Sequence, residues 1–268
     1  DLNDVNMIDP FHLEARGEAV VNYNRDCEIF PVVNAMFELI FGKSPYKSPT
    51  EMGVNMAGNC IIDDEACREA SKQEIIRRYY KCLCEKRRNG TTKDDICKLE
   101  LLMKQAEITV EDRKVTIVAL EREKNENGNP AMAIELRDGT IVSGGTSELL
   151  GAASSALINA LKVLAGIDKE VKLIDPKAID PIQDLKINYL GSKNPRLHTD
   201  EVLTALSATA ANNEIAMKAM KKLPLLKGCD AHSTVLLSSV DEQIFKKLGI
   251  QLTCEPKYEE DERMYHKN

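Results

Sequence analysis

The fold of this chain is decided by residues 131–165, which read AMAIELRDGTIVSGGTSELLGAASSALINALKVLA. Apolar positions flank an Asp138-Gly139 pair in the first part, a pattern that is typical of a β-hairpin. The spacing predicts strands over Ala131–Leu136 and Thr140–Ser143. Apolar and small residues then recur at helical spacing, so we expect a long helix from about Glu148 to Ala165.

Strands continue to alternate with helices beyond this stretch. The alternation predicts a layered α/β domain over residues 129–258, followed by a charged tail over 259–268. The further elements predicted from apolar spacing and cap residues are strand Val171–Ile174, a helix start at Asp180 and Pro181, helices Asp200–Ala211 and Glu214–Leu223, strand Ser233–Leu237, helix Asp241–Leu248 and strand Ile250–Cys254.

Residues 26–128 predict a mainly helical domain, which makes the chain α/β in class and α+β overall. The repeat of apolar residues predicts a buried helix over Asp26–Phe41 and a second helix over Asp64–Arg88. A third helix is expected to begin at Thr92. The segment Val110–Lys124 contains β-branched residues that favour a strand, but its early acids and the stop at Gly128 favour the helix that we predict.

Composition limits the function classes. The 268 residues carry a net charge of -7 with both signs interspersed, so no basic face is available for a nucleic acid. No apolar run has the length of a membrane span, and no signal peptide is recognisable. The eight cysteines are too few for a disulfide framework in a chain of this length. These features favour a cytoplasmic protein that contacts neither membranes nor nucleic acid.

The long stretch from Ser44 to Asp64 has no apolar period and is predicted to be an ordered binding loop. It places Asn55, Asn59 and Cys60 close to the start of a helix. Free N–H groups at a helix start attract phosphate or carboxylate, so these residues are candidates for substrate binding. The alternative is that the glycines form turns and the asparagines bond only to nearby backbone.

A second candidate site lies between the predicted hairpin and the helix that follows it. Backbone amides and two hydroxyl groups there could hold an anion, although the spacing differs from a P-loop and from a dinucleotide-binding motif. The alternative is a tight turn with Ser147 as a helix cap. The predicted anion-binding residues are Gly144, Gly145, Thr146 and Ser147.

A third candidate site pairs residues 194–201 with residues 228–234, two polar segments that lie at element boundaries. Imidazole, thiol and carboxylate groups together are what a thiol–imidazole pair or a metal site needs, but the spacing fixes no third ligand and we predict no metal. The alternative is an ordinary helix start at Thr199. The predicted catalytic residues are Cys229, His198 and His232, and the predicted substrate-binding residues are Asn194, Arg196 and Asp200.

Near the start of the chain, Arg25 lies in the polar run from Asn22 to Asp26. A guanidinium group can hold a carboxylate through two hydrogen bonds, so Arg25 joins the predicted substrate-binding residues. A surface loop in which Arg25 pairs with Asp26 explains the same run.

Several irregular stretches together resemble an uncharacterised bacterial family, catalogued as domain of unknown function 1846. The resemblance extends over nearly the whole chain, to about Glu259. The stretches that carry it are residues 1–15, Asn22–Asp26, Ser48–Cys60, Leu190–Glu201 and Gly228–Thr234.

Members of this family are about twice as long, with an N-terminal α/β half that carries a P-loop-like segment. The resemblance implies that this chain is the C-terminal half, that residues 1–25 are the remnant of a missing N-terminal domain or the linker from it, and that the α/β part has cytidine-deaminase-like topology. It implies no established activity, and the zinc signature of deaminases is absent from the sequence.

Three functions follow as hypotheses. The first is the substrate-side half of a cytoplasmic, nucleotide-linked small-molecule enzyme, whose nucleotide binds mainly to the missing half. The second is a non-catalytic module for binding or homo-oligomerisation, built on the helical region. The third is a metal-dependent hydrolase that uses Cys229 and His232.

Overall fold

The computed structural model describes residues 30–42, 64–90 and 93–259. Its internal contacts divide the chain into two units, with the boundary between Arg113 and Lys114. The predicted mixture of helices and strands is confirmed, because helices accompany one four-stranded mixed sheet in the described residues. No helix in these residues is both long enough and apolar enough to cross a membrane.

Unit 1 is helical. It contains α1 (Phe30–Phe41), α2 (Asp64–Asn89), α3 (Lys93–Gln105) and a 3-10 turn (Val110–Asp112). The apolar stripes predicted for α2 and α3 form its core, in agreement with their helical spacing. The buried side chains of this core are Ile75, Ile76, Tyr80, Leu99, Leu102, Met103 and Ile108.

The prediction that the first helix is buried is wrong for its C-terminal half. Met36, Leu39, Ile40 and Phe41 are all exposed, and Leu39 has 88% of its surface accessible. Apolar spacing identifies the covered face only when the opposite face is polar. Nearly every residue of α1 is apolar, so the sequence did not show which face would be covered.

The segment predicted as one helix over Val110–Lys124 is interrupted. Thr109 and Asp112 form the expected capping box, with the Thr109 N–H 2.6 Å from Asp112 Oδ2. Arg113 is extended, and a new helix, α4 (Lys114–Asn125), begins directly after it. α4 packs on the sheet of unit 2, although the sequence placed it in the helical region.

The sheet of unit 2 contains β1 (Ala131–Glu135), β2 (Ile141–Gly145), β3 (Asp230–Ser233) and β4 (Gln251–Cys254). Its strand order is β2-β1-β3-β4. β1 is antiparallel to both neighbours, whereas β3 and β4 are parallel. The cytidine-deaminase-like topology implied by the resemblance is not confirmed.

The two faces of the sheet are covered by different elements. Met132 and Ile134 face the large core that contains helix α5 (Ala152–Ala165). Ala133 faces the opposite side, where it packs against Val115 and Ala119 of α4. Alternate residues of a strand point to opposite faces, so β1 divides its side chains between these two layers.

The remaining elements lie between β2 and β4 in the sequence. Pro181 lies inside α6, and the backbone widens into a π-helical turn directly after α6 ends. These elements are α6 (Pro176–Asp184), the π-helical turn (Leu185–Tyr189), α7 (Thr199–Ala210), α8 (Glu214–Met220), a 3-10 turn (Leu223–Leu226) and α9 (Ser239–Lys247).

Three further predicted elements differ from the structure in type or in where they begin. Val171–Ile174 is not a strand, because its apolar residues enter the core from a segment outside the sheet. α6 begins at Pro176, where Asp175 Oδ1 accepts a hydrogen bond from the backbone of Lys177 at 2.9 Å, and not at the second Asp-Pro pair. β3 begins three residues earlier than predicted and ends at Ser233.

Candidate functional site

A cleft in unit 2 lies where the N-terminal ends of three helices meet. The cap residues of α5, α7 and α9 that line it are Gly151, His198 and Ser238. The open space has a volume of about 50 Å³. Pockets for drug-sized ligands measure roughly 300–1,000 Å³, so this space admits a group of a few atoms. The wall also includes Pro130, Thr146, Asn194, Arg196, Leu236 and Glu259.

The central pair of the cleft is His198 and Asp241, with His198 Nδ1 3.0 Å from Asp241 Oδ2. Asp241 Oδ1 accepts hydrogen bonds from the backbone N–H and the hydroxyl of Thr199, at 2.9 and 2.8 Å. The Ser238 hydroxyl donates to Oδ2 at 2.7 Å. Burial by itself raises the pKa of Asp241, but the hydrogen bonds and the charge of His198 together lower it to about 2.

The ionised state of Asp241 fixes the state of the His198 ring. A carboxylate only accepts hydrogen bonds, so Nδ1 of His198 carries a proton and donates it to Asp241. This hydrogen bond raises the pKa of His198 above 6.5, although burial opposes the shift. The ring therefore gains and loses its second proton at Nε2, with a pKa above the usual value of a histidine side chain.

A buried lysine holds the backbone around His198. Lys186, in the π-helical turn, donates to the carbonyl oxygen of Arg196 at 2.6 Å and to Glu201 Oε2 at 2.7 Å. The same carboxylate oxygen accepts the backbone N–H of His198 at 2.7 Å. One ammonium group thus fixes the chain on both sides of Leu197, and π-helical turns often occur at functional sites.

Arg196 brings a second cation to the cleft wall. Its Nη1 lies 2.6 Å from Glu259 Oε1. Asn194 is buried, and its Oδ1 accepts the backbone N–H of Arg196 at 3.0 Å. Asn194 therefore shapes the loop, whereas Arg196 presents a charge to the cleft.

The three helix ends differ in how they are capped. The α7 end is capped by Glu201 and Asp241 through the hydrogen bonds above, and at the α9 end the Ser238 hydroxyl accepts the backbone N–H of Asp241 at 3.2 Å. Gly151 has no side chain, and no side chain in the described part of the chain caps α5. The first N–H groups of a helix have no partner within it, so the α5 end adds partial positive charge to the cleft.

Part of the third predicted site comes together here. His198, Asn194 and Arg196 line the same cleft, and Thr146 of the second predicted site lies with them. Asp200 is exposed in the first turn of α7 and does not line the cleft.

Cys229 and His232 do not join this cleft. Cys229 belongs to the core on the α5 face, and its Sγ lies 3.6 Å from the carbonyl oxygen of Leu225. Burial raises the pKa of the Cys229 thiol, which opposes its use as a nucleophile. His232 lies opposite Ala133 on the α4 face. Since the two side chains face opposite ways, they do not form a thiol–imidazole pair.

The same geometry gives no support to a metal bound by Cys229 and His232. Over residues 30–42, 64–90 and 93–259, no three ligand-type side chains gather in a metal-binding arrangement.

The predicted anion-binding residues are placed differently from the expectation. Gly144 and Gly145 belong to β2, where Gly144 packs against the backbone of Ala156. Ser147 accepts the backbone N–H of Leu150 at 3.0 Å, and α5 begins only at Ala152. Ser147 therefore caps a turn and not the helix. The amides that face the cleft follow Gly151, several residues after the predicted ones.

Two family models match consecutive parts of the chain. The model described as domain of unknown function DUF1846, C-terminal, matches residues 111–265, and the model for the N-terminal domain of the same family matches residues 1–107. The chain belongs to the DUF1846 family. The prediction that it is the C-terminal half alone is therefore wrong, because the DUF1846 N-terminal model also matches.

Curated relatives of this DUF1846 chain are bacterial and named only as UPF0371 proteins. One from Corynebacterium urealyticum is 54% identical over 96% of this chain and 52% of its own length. One from Streptococcus thermophilus is 55% identical over 100% of this chain and 54% of its own length. The chain thus spans about half the length of these relatives, whose names state no activity.

Four predicted residues of the DUF1846 chain, Asn55, Asn59, Cys60 and Arg25, lie outside the described residues. Sequence reasoning missed Asp241, Ser238 and Lys186. Ser238 and Asp241 stand at the spacing of a capping box, and this signal could have moved the predicted helix start back from Asp241. Lys186 had no local signal, since its partners lie 10 and 15 residues away.

Proposed function

We propose that the cleft of unit 2 binds a small anionic molecule and that His198 exchanges a proton with it. The observation that carries this proposal is the partly buried His198–Asp241 pair at the wall of a cleft. A carboxylate that is fully hydrogen-bonded orients the imidazole and stabilises its protonated form. His198 still has 23% of its side chain exposed, so a ligand can reach the ring.

The charges of the cleft favour an anionic ligand. Arg196, protonated His198 and the α5 end contribute positive potential, while the two carboxylates of the same wall, Asp241 and Glu259, are paired with His198 and Arg196. The volume of about 50 Å³ suits a carboxylate or phosphate group and not a complete nucleotide. The cleft would therefore serve the substrate side of a reaction, and a nucleotide used by the whole protein would bind outside it.

Ligand-dependent thermal unfolding tests this proposal. The whole chain is incubated with carboxylates, phosphate esters and nucleotides, and the melting temperature is compared with that of the His198→Gln and Asp200→Asn variants. We expect small acids to stabilise the wild type and Asp200→Asn, and to stabilise His198→Gln less. Absence of any ligand effect in the wild type would contradict the proposal.

A second candidate function, assembly with another copy of the chain, is supported by the exposed apolar side chains of α1. Met36, Leu39, Ile40 and Phe41 lie within six consecutive residues. Monomeric proteins seldom leave a large apolar patch uncovered. Light scattering tests whether the molar mass doubles with concentration. Leu39→Glu should prevent this, whereas Leu190→Glu, a change at an exposed leucine of unit 2, should not.

A further inference from the structure

Lys186 of the π-helical turn is buried, although apolar side chains beside it are exposed. Only 8% of its side chain is accessible. Leu185 and Tyr189 of the same turn are exposed, and so is Leu190 directly after it. A helical segment at a protein surface ordinarily buries its apolar side chains and exposes its charges. Burial of an ammonium group is unfavourable unless the group is paired, so the partners of Lys186 explain its position.

The partners of Lys186 hold the backbone of His198. Glu201 Oε2 accepts hydrogen bonds from Lys186 Nζ and from the backbone N–H of His198, both at 2.7 Å. Lys186 Nζ also donates to the carbonyl oxygen of Arg196 at 2.6 Å. The ring of His198 is held separately, by the contact of 3.0 Å between its Nδ1 and Asp241 Oδ2. The imidazole is therefore fixed by two attachments on different elements, and Lys186 belongs to the attachment at the backbone.

Lys186 and Glu201 also act on the charge of the ring, in opposite directions. The hydrogen bond to Asp241 raises the pKa of His198, and the negative charge of Glu201 adds to this rise. Burial and the positive charge of Lys186 lower the same pKa. The charged side chains around the ring include Asp241 of α9, Glu201 of α7, Lys186 of the π-helical turn, and Arg196 and Glu259 in the cleft wall.

We infer that Lys186 is a positioning residue, which acts through Glu201 and the carbonyl oxygen of Arg196 to hold His198 in the orientation that proton exchange with a ligand requires. The inference rests on the proposed function of the cleft and adds a residue that does not line it. Proton exchange requires hydrogen-bond distance between the imidazole and the ligand. A small displacement of the His198 backbone would therefore weaken the contact with the ligand.

Titration of the His198 ring by NMR in the whole chain tests this role without a ligand. Lys186→Met removes the ammonium group and keeps a side chain of similar length, so the pKa of His198 should rise. Glu201→Leu removes the negative charge and the shared acceptor, so the pKa of His198 should fall. Lys177→Met, which removes an exposed lysine of α6, should titrate like the wild type. Shifts of the same sign in the first two variants, or an unchanged titration in both, would overturn the inference.

Acetate, a small acid of the class proposed for the cleft, is the ligand probe. Its dissociation constant is measured from the same ring signals, below the lowest of the measured pKa values, so that His198 is protonated in every protein. Acetate should bind about tenfold more weakly to Lys186→Met and to Glu201→Leu, and as in the wild type to Lys177→Met. Loss of the Glu201 charge alone would strengthen the binding of an anion, so weaker binding to Glu201→Leu reports the lost orientation of His198.

A lysine with only a structural role would give a different result. Lys186→Met would then have a lower melting temperature but the His198 titration and the acetate affinity of the wild type, and this outcome would overturn the inference. Glu201→Leu breaks the same contact from the other side and decides the question if Lys186→Met does not fold. Failure of the proposed function is distinct, because the wild type would then bind neither acetate nor any ligand of the thermal panel, while the titration would still report whether Lys186 acts on His198.

Discussion

Two histidines of unit 2 have similar partners and opposite surroundings. His198 Nδ1 lies 3.0 Å from Asp241 Oδ2. His232 Nδ1 lies 2.9 Å from Thr253 Oγ1, and its Nε2 lies 3.3 Å from Glu255 Oε1. The side chain of His198 is 23% exposed, whereas that of His232 is 0% exposed.

This difference teaches that access, and not the presence of a carboxylate partner, separates the two sites. His232 lies on the α4 face, which Val115, Ala119 and Ala133 close. His198 lies at the N-terminal end of α7, beside the cleft that forms where the N-terminal ends of three helices meet. An imidazole can exchange protons with a ligand only where the ligand can reach the ring, which is why our proposal gives this role to His198 and not to His232.

The largest effect is expected at Gly144, on the α5 face of the sheet. A Cβ at Gly144 would overlap the backbone nitrogen of Ala156, which cannot move without shifting α5. For a Cβ at Gly145, on the other face, the three nearest atoms belong to the end of the Glu126 side chain, which can move. Gly144→Ala should destabilise the protein by about 3 kcal/mol and Gly145→Ala by at most about 1 kcal/mol, as measured by urea unfolding. Equal decreases in the free energy of unfolding for the two variants would contradict the tighter packing of the α5 face.

The next effect concerns the partner of His198. At pH 7, Asp241→Asn should cost about 2 kcal/mol, because the wild-type carboxyl has its pKa lowered from 3.8 to about 2 on folding. The pKa of His198 should fall at the same time, since its hydrogen bond to a charged partner is lost. Urea unfolding measures the first change, and NMR titration of the ring measures the second. An unchanged His198 titration would show that the pair is not electrostatically coupled.

The sign of the pH dependence separates the two members of this pair. The contribution of Asp241 to the free energy of unfolding is present above pH 3.8 and is lost as the pH falls towards 2. The contribution of His198 is complete below pH 6.5 and is lost as the pH rises through its raised pKa. The free energy of unfolding of the wild type should therefore exceed that of Asp241→Asn by the largest amount between pH 3.8 and pH 6.5. A difference that does not change with pH would contradict the coupling of these two pKa shifts to stability.

A smaller effect is expected at the enclosed histidine. His232→Gln removes the imidazole next to Thr253 and Glu255 and should cost about 1–2 kcal/mol in urea unfolding. Stabilisation by small acids should remain as in the wild type, because His232 does not line the cleft. Loss of that stabilisation in a folded His232→Gln protein would erase the distinction between the two histidines.

The smallest effect is expected at Asp200, which is exposed in the first turn of α7. Asp200→Asn should change the free energy of unfolding by no more than about 0.5 kcal/mol, through its interaction with the helix dipole. Ligand binding should not change. A loss of ligand-induced stabilisation in Asp200→Asn would instead support the prediction from the sequence that Asp200 binds substrate.

Much of the secondary structure could be predicted from local patterns. The Asp138-Gly139 hairpin, the stripes of α2 and α3, and the Thr109 capping box all depend on residues close in sequence. The prediction of a strand over Val171–Ile174 was wrong because apolar alternation indicates burial but does not specify a hydrogen-bonding neighbour. The burial predicted for α1 was wrong in its C-terminal half because the helix is apolar nearly all round, so its sequence does not indicate which face is covered.

The candidate site was predicted only in its local part. The sequence by itself determined that the segment around Asn194, Arg196 and His198 was polar and preceded a helix, because cap residues act over three or four positions. Only the tertiary structure decided that Asp241, 43 residues away, binds His198 and raises its pKa. Only the tertiary structure decided that Cys229 and His232 face opposite layers. Pairing across such separations depends on how helices pack and on strand parity within the sheet, which no local pattern encodes.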